Sequence, residues 1–182
     1  MPGRREEIAA KAYEMTGDKG LESVHARTVA AELGINHATV HYYFPKRVDL
    51  LKAVAEEALG RLANDRAVFY EGAAKADQKL AADFELAGDY SMKGSRFYRV
   101  IQGLFVASLE EAALKPLAKK IFAAWAEGIG KNLADAKTKK ASPFGEGQLL
   151  AATLLGIGLA AQLHDGKWET DAAMQAVKSN LM

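Results

Sequence analysis

The sequence predicts an all-α chain of about nine helices. Three observations predict it. Apolar residues recur at three- and four-residue spacing through nearly every segment, without a stretch of strict alternation. Ala, Leu, Glu and Lys, all good helix formers, are abundant, while proline occurs only 4 times in 182 residues. Glycine, asparagine and proline punctuate the periodic segments as helix stops and starts do.

The first helix is expected from Arg4 to Met15. Ile8, Ala9, Ala12, Tyr13 and Met15 form its apolar face, and Glu6 and Glu7 favour its first turn through the helix dipole. Thr16 to Gly20 is expected to stop it, with Gly17 as the C-cap. Leu21 and Val24 read as a short connector on the core. A second helix follows from about Ala26 to Leu33, with Val29, Ala30 and Leu33 inward. Gly34 ends it, Ile35 plugs the turn, and Asn36 caps a third helix reaching Tyr43, which Pro45 terminates. From Arg47 a long pattern runs through Val48, Leu51, Val54, Ala58 and Leu62, past Phe69.

The later chain is again helical. One helix is carried by Leu80, Phe84, Leu86 and Ala87 and broken at Gly94-Ser95. The next is carried by Phe97, Val100, Ile101, Leu104 and Leu109. Pro116 suits a helix start, and Gly128 and Gly130 are expected to kink or fray that helix. Lys137 to Gly147 reads as a loop. Gln148 to Leu163 is a helix, and after a turn at His164-Asp165-Gly166 a last helix spans about Thr170 to Leu181. Leu149 to Ala161 is apolar on all sides, the pattern of a helix buried all round.

Composition excludes several function classes. Without cysteine there is no disulfide, thiolate zinc site or cysteine nucleophile. The N-terminus has no signal-peptide core. The uncharged run Leu149 to Ala161 is shorter than the roughly 20 residues a membrane span needs. A cytoplasmic protein with no membrane contact is expected. The serines sit in no nucleophile elbow, and no phosphate loop or dinucleotide fingerprint is present, so no enzyme and no cofactor are expected. Net charge is +1. Residues 1–50 carry seven basic and seven acidic side chains, a balance of zero, so nucleic-acid binding has to be argued from placement.

Arg27 to Leu51 has the layout of a helix-turn-helix, whose second helix enters the DNA major groove. On the helix from Asn36, Val40 and Phe44 lie four apart and face the core. Asn36, His37, Ala38, His41 and Tyr42 fall outward, compact or hydrogen-bonding groups suited to base edges. Thr39, Tyr43, Lys46 and Arg47 flank them for phosphates. Protonation of His37 and His41 is expected to strengthen DNA binding between about pH 7.5 and 6. His37 and His41 also have a two-ligand metal spacing, but no third ligand accompanies them, and no metal is expected.

This segment resembles the DNA-binding region of the TetR family of bacterial repressors. Val29-Ala30 stands at the family's "Ile-Ala", Leu33-Gly34-Ile35 at its turn, and Asn36-His37-Ala38-Thr39-Val40-His41-Tyr42-Tyr43-Phe44 over its recognition helix. Arg47 takes a lysine position and Leu50-Leu51 a leucine pair. Asn36 replaces serine, and His41 replaces a tyrosine that usually touches phosphate. Arg27 stands at a position often used for DNA contact, and Arg4 and Arg5 suit a short arm toward the duplex.

The resemblance implies a helix-turn-helix domain over residues 1–46 and a ligand-binding and dimerisation body over 47–182. It implies a homodimer reading a near-palindromic DNA operator. Small residues Ala152, Gly156 and Ala160, with Ala173 and Val177 of the last helix, would pair with a second copy. A small-molecule effector would sit among Phe84, Tyr98, Gln102, Phe105 and Trp125, with Tyr90 and Arg96 near its entrance. The function implied is a ligand-responsive repressor. The alternative is a small-molecule-binding or scaffold protein with a degenerate helix-turn-helix.

Overall fold

A computed structural model describes residues 3–92, 94–136, 143–163 and 169–181. The described residues form nine α-helices and no strand: α1 (Arg4–Lys19), α2 (Ala26–Leu33), α3 (His37–Tyr43), α4 (Arg47–Phe69), α5 (Ala76–Ser91), α6 (Arg96–Glu110), α7 (Lys115–Ala136), α8 (Pro143–Leu163) and α9 (Thr170–Leu181). A 3-10 turn, Leu21–Ser23, links α1 to α2. The expected turn at His164–Gly166 and residues 137–142 of the expected loop lie outside the described residues. The chain divides into two compact units. One comprises Met1–Arg61 with Arg96–Ile121, the other Leu62–Ser95 with Phe122–Met182.

In the first unit, Ile8, Val24, Val29, Val40, Val54 and Val100 are fully buried, with Phe44, Leu50 and Ile101 beside them. Leu33, expected inward, is only half-buried. Helix α1 does not stop at Gly17. Thr16 turns its hydroxyl back onto the Ala12 carbonyl at 2.8 Å, so it is satisfied inside the helix. Gly17 is a point of close approach: a Cβ there would lie 2.7 Å from Cβ of Arg96 on α6. The stop is Gly20, at φ 85°, a conformation that favours glycine. Arg4 and Arg5 lie within the first turn of α1. Arg4 pairs with Glu7, and Arg5 stacks on the Phe44 ring 5.2 Å from its centroid, so they do not form a free arm.

In the second unit the glycines again mark close approach. Helix α7 runs unbroken through Gly128 and Gly130 to Ala136. A Cβ on Gly128 would collide with the Arg66 guanidinium, and one on Gly147 with the Ala126 carbonyl and, at 2.8 Å, with Gly130 Cα. Helix α8 therefore begins at Pro143, before the expected Gln148, because Gly147 is there for packing and the proline suits a first helical position.

Nor is α8 buried all round. Ala151, Leu154 and Ile157 face the core, but Leu149 and Leu163 are well exposed, Leu159 is 41% exposed, and Ala152 and Gly156 are open. The stretch Gly145–Leu163 has the length and composition of a membrane-crossing helix, longer than the uncharged run considered above, and 39% of it is buried.

Candidate nucleic-acid interface

The helix-turn-helix is built by short-range signals. Gly34 adopts a left-handed conformation, φ 65°, and turns the chain at the end of α2. The amides of Gly34 and Ile35 donate to the carbonyls of Ala31 and Ala30 at 3.2 and 3.0 Å. Asn36 caps α3, its Oδ1 accepting the Ala38 amide at 2.9 Å. Thr28 closes the start of α2: its Oγ1 accepts the His25 amide at 3.1 Å, and its hydroxyl faces the Ser23 carbonyl at 2.6 Å. At the start of α4, Asp49 accepts the Lys46 amide at 3.1 Å.

These turns anchor α3 by one face. Val40 is fully buried and Phe44 nearly so. The opposite face carries Asn36, His37, Ala38, His41 and Tyr42, all exposed, Tyr42 at 80%. His37 and His41 meet edge to face at 6.1 Å between ring centroids, and Tyr42 and Tyr43 at 5.1 Å. Thr39 and Tyr43 are half-buried at the flank; Arg27 and Lys46 are exposed. The predicted reading groups therefore share one solvent-facing side of a short, rigidly seated helix.

Beside them is a hollow of about 250 Å³ lined by His25, Arg27, His41, Lys46 and Arg47 above Phe44 and Leu50. It opens at the N-terminal end of α2, where the cationic side chains of Arg27, Lys46 and Arg47 suit a phosphate. Its basic groups are close enough to act locally although residues 1–50 carry no net charge. His25 and the hollow itself escape a sequence reading, because the hollow joins the beginnings of α2 and α4 with the end of α3.

Arg47 has a second commitment. Its Nε donates to the Val24 carbonyl at 3.0 Å and one Nη to the Leu21 carbonyl at 2.9 Å. It thus pins the first turn of α4 to the 3-10 turn before the reader.

The residues expected around an effector divide between the units. Tyr98, Gln102 and Phe105 lie on α6 in the first, Phe84 and Trp125 in the second. Tyr98, Phe84 and Trp125 are buried. Gln102 borders an open cleft of about 860 Å³ beside Leu21, Val48, Leu51 and Val106. Phe84 borders another, of about 540 Å³. Tyr90 and Arg96 each bind an acid of the chain itself. Tyr90 is buried, not at an entrance, with its hydroxyl 2.6 Å from Asp65; Arg96 grips Asp18 with two nitrogens, at 2.6 and 3.1 Å.

The second unit also holds a polar network not foreseen from sequence. Asp83, buried, accepts from Arg66 Nε at 3.1 Å, Tyr70 Oη at 2.9 Å and Asn132 Nδ2 at 2.7 Å. Arg66 also donates to the carbonyls of Ala124 and Trp125. Burial pushes the Asp83 carboxyl above the usual range against the pull of Arg66, Asn132 and Tyr70, and burial with Asp83 nearby pushes the Tyr70 phenol up strongly.

Residues 8–54 match the family described as bacterial regulatory proteins, tetR family. Over 132 residues, 72% of this chain, the sequence is 24% identical to the HTH-type transcriptional regulator BetI of Rhizobium meliloti; the match spans 63% of that relative's length. The fold matches a Saccharomonospora viridis protein described as a transcriptional regulator and crystallised with choline. That likeness has TM-score 0.81 at 19% identity and covers 96% of this chain and 93% of the other. It also matches the multidrug binding protein EbrR complexed with malachite green, at TM-score 0.67 and 29% identity, covering 100% and 99% of the two chains. The helix-turn-helix over the matched residues 8–54 is thus similar to that of the tetR family of bacterial regulatory proteins, and the all-α fold is shared with these neighbours.

Proposed function

We propose that the protein is a homodimeric repressor that reads a near-palindromic operator through α3 and is released from it by a small molecule. The observation that carries this reading is the exposed face of His37, Ala38, His41 and Tyr42 on a helix held by buried Val40 and Phe44. Such a face can enter a major groove, with Tyr42 and Ala38 meeting thymine methyls and the histidines and Asn36 hydrogen-bonding base edges. Arg27, Thr39, Tyr43, Lys46 and Arg47 would hold the backbone.

Pairing follows from weakness. A single reader with few cations binds poorly, and two locked together multiply affinity and read two half-sites. The open side of α8, with Ala152 and Gly156 between Leu149 and Leu159, is an apolar face left uncovered among the described residues. Ala160, Ala173 and Val177 would complete the contact. Small residues let the two backbones approach, and the area covered would be apolar on both sides.

Small-molecule response is supported by the choline and malachite green of the two neighbours. If effector lowers operator affinity, operator lowers effector affinity by the same factor. The protein would work in the cytoplasm, where its DNA is. The test is selection of bound sequences from random DNA, followed by sedimentation of the complex. The expected result is an inverted repeat bound by two chains. Enrichment of no sequence, or one chain bound to a single half-site, would overturn the reading.

A further inference from the structure

We propose that α6 carries a further contact between copies of this chain, in which two α6 helices pair antiparallel and fix the distance between two readers. The proposal rests on the reading that two chains share one operator, and it adds a contact within the first unit.

Arg99, Gly103, Val106 and Glu110 recur along α6 at steps of four, three and four. At about 100° per residue they lie within roughly 60° of one another, the seam pattern of paired helices. Val106 is 64% exposed, and Leu109 at its flank is 84% exposed. Arg99 and Glu110 are exposed too, and among the described residues neither is in an ion pair.

The seam is complementary to itself when reversed. Arg99 and Glu110 stand about 16 Å apart along the helix axis. An antiparallel pair sets Arg99 opposite Glu110 of the copy, and symmetry repeats the ion pair at the other end. The same register sets Val106 opposite Gly103 of the copy and Gln102 opposite Ala107, a larger side chain against a smaller one each time. A parallel pair would set Arg99 against Arg99 and Glu110 against Glu110, so charge selects the antiparallel one.

Gly103 supplies an independent sign. It lies inside α6 with no positive φ. A Cβ there would be in ordinary contact with Leu21, at 3.5 Å, so packing within the chain does not require glycine. Alanine would favour the helix by about 1 kcal/mol. The glycine leaves room for a second backbone where the copy's Val106 stands. The seam also borders the cleft of about 860 Å³, whose far wall holds Leu21, Val48 and Leu51. That cleft leaves space for a helix beside α6.

One pair of short helices is smaller than a stable interface, so the contact acts between chains already held together. Its place gives it consequence. In the unit that carries the reader, α6 is locked to α1 by the close approach of Gly17 to Arg96 and by the Arg96–Asp18 pair. Joining the two α6 helices therefore sets the spacing of the readers, and with it the half-site spacing that binds best.

The chain has no cysteine, so introduced thiols report this contact alone. Full chains carrying Gly103→Cys or Val106→Cys, one kind tagged, are mixed, bound to the selected operator and oxidised. A disulfide should join unlike chains, and form several-fold less between like chains, whose thiols are offset along the axis. Arg99→Glu and Glu110→Arg each set like charges opposite one another. Each alone should weaken operator binding about fivefold with the melting curve unchanged. Their mixture keeps the wild type's net charge, restores both ion pairs and should bind as the wild type does. No disulfide between unlike chains, or a mixture no better than either variant alone, overturns the contact. Sedimentation of the same samples separates the two ideas. Two chains per operator without the disulfide overturn the α6 contact and leave the paired repressor standing. One chain per operator, with the disulfide formed in free protein, does the reverse.

Discussion

Replacing Gly17 by alanine sets two effects against each other. Helix propensity favours alanine by about 1 kcal/mol at an interior helix position. Packing opposes it. The new Cβ would lie 2.7 Å from Arg96 Cβ, 2.8 Å from its Cγ and 3.1 Å from its Cα. Carbon atoms pack at roughly 3.5–4.0 Å, and the Cα cannot rotate away, so α1 and α6 must separate by several tenths of an ångström. Overpacking of that kind costs about 1–3 kcal/mol, so the clash wins, with a net loss of about 1 kcal/mol. The Arg96–Asp18 pair that ties the two helices is about half exposed and adds little. Gly60, also in the first unit, is the control: a Cβ there meets nothing within 4 Å, so Gly60→Ala keeps the propensity gain of about 1 kcal/mol. At about 2–4 °C per kcal/mol for a chain of this size, the two variants should melt roughly 4–8 °C apart, on opposite sides of the wild type. A Gly17→Ala protein melting at or above the wild type would refute the close-approach reading.

Asp83→Asn should destabilise by about 3 kcal/mol in urea, the lower end for one half of a buried pair, because Arg66 keeps its carbonyl partners. The apolar double variant Arg66→Met/Asp83→Leu should recover much of that loss; additive losses would contradict a pair. Because burial raises the Asp83 carboxyl, the native state holds its proton to higher pH than the unfolded chain. Its contribution is then fully present below the unfolded value near pH 4 and is lost as pH rises through the folded value, so the wild type should lose stability over that range and Asp83→Asn should not. Parallel curves would remove Asp83 as the source. Arg47→Ala should lower the stability of the first unit by about 1.5–3 kcal/mol as well as weaken DNA, whereas Lys46→Ala should weaken DNA alone. Equal melting of the two variants would leave Arg47 without its clamping role.

The reader was legible because its signals are local. Gly34, Asn36 and Pro45 act on their own backbone and on neighbours two to four residues away, so α2 and α3 begin and end where their sequences say. What was not legible depends on partners far along the chain. Gly17, Gly128 and Gly147 look like helix breakers until Arg96, Arg66 and Ala126 are seen opposite them. The uniform apolarity of α8 suggests burial on all sides, but only contact with its neighbours tells which side is open. Arg47 matches a phosphate-binding pattern, and its hold on Leu21 and Val24, 26 and 23 residues earlier, has no sequence mark. The network around Asp83 draws one member each from α4, α5 and α7, with Tyr70 just beyond α4, and none of the four stands out from ordinary surface polarity in sequence.

The central claim is that the exposed face of α3 reads bases. The most direct measurement is competition between a selected DNA site and a shuffled one, at fixed salt, for the wild type and Tyr42→Ala. Tyr42 is 80% exposed and rests on no core residue, so its removal should leave the fold intact. The account predicts that the wild type prefers the selected site and that Tyr42→Ala binds both equally, at about the wild type's affinity for shuffled DNA. A wild type that shows no preference, or a Tyr42→Ala variant that keeps it, would contradict the account.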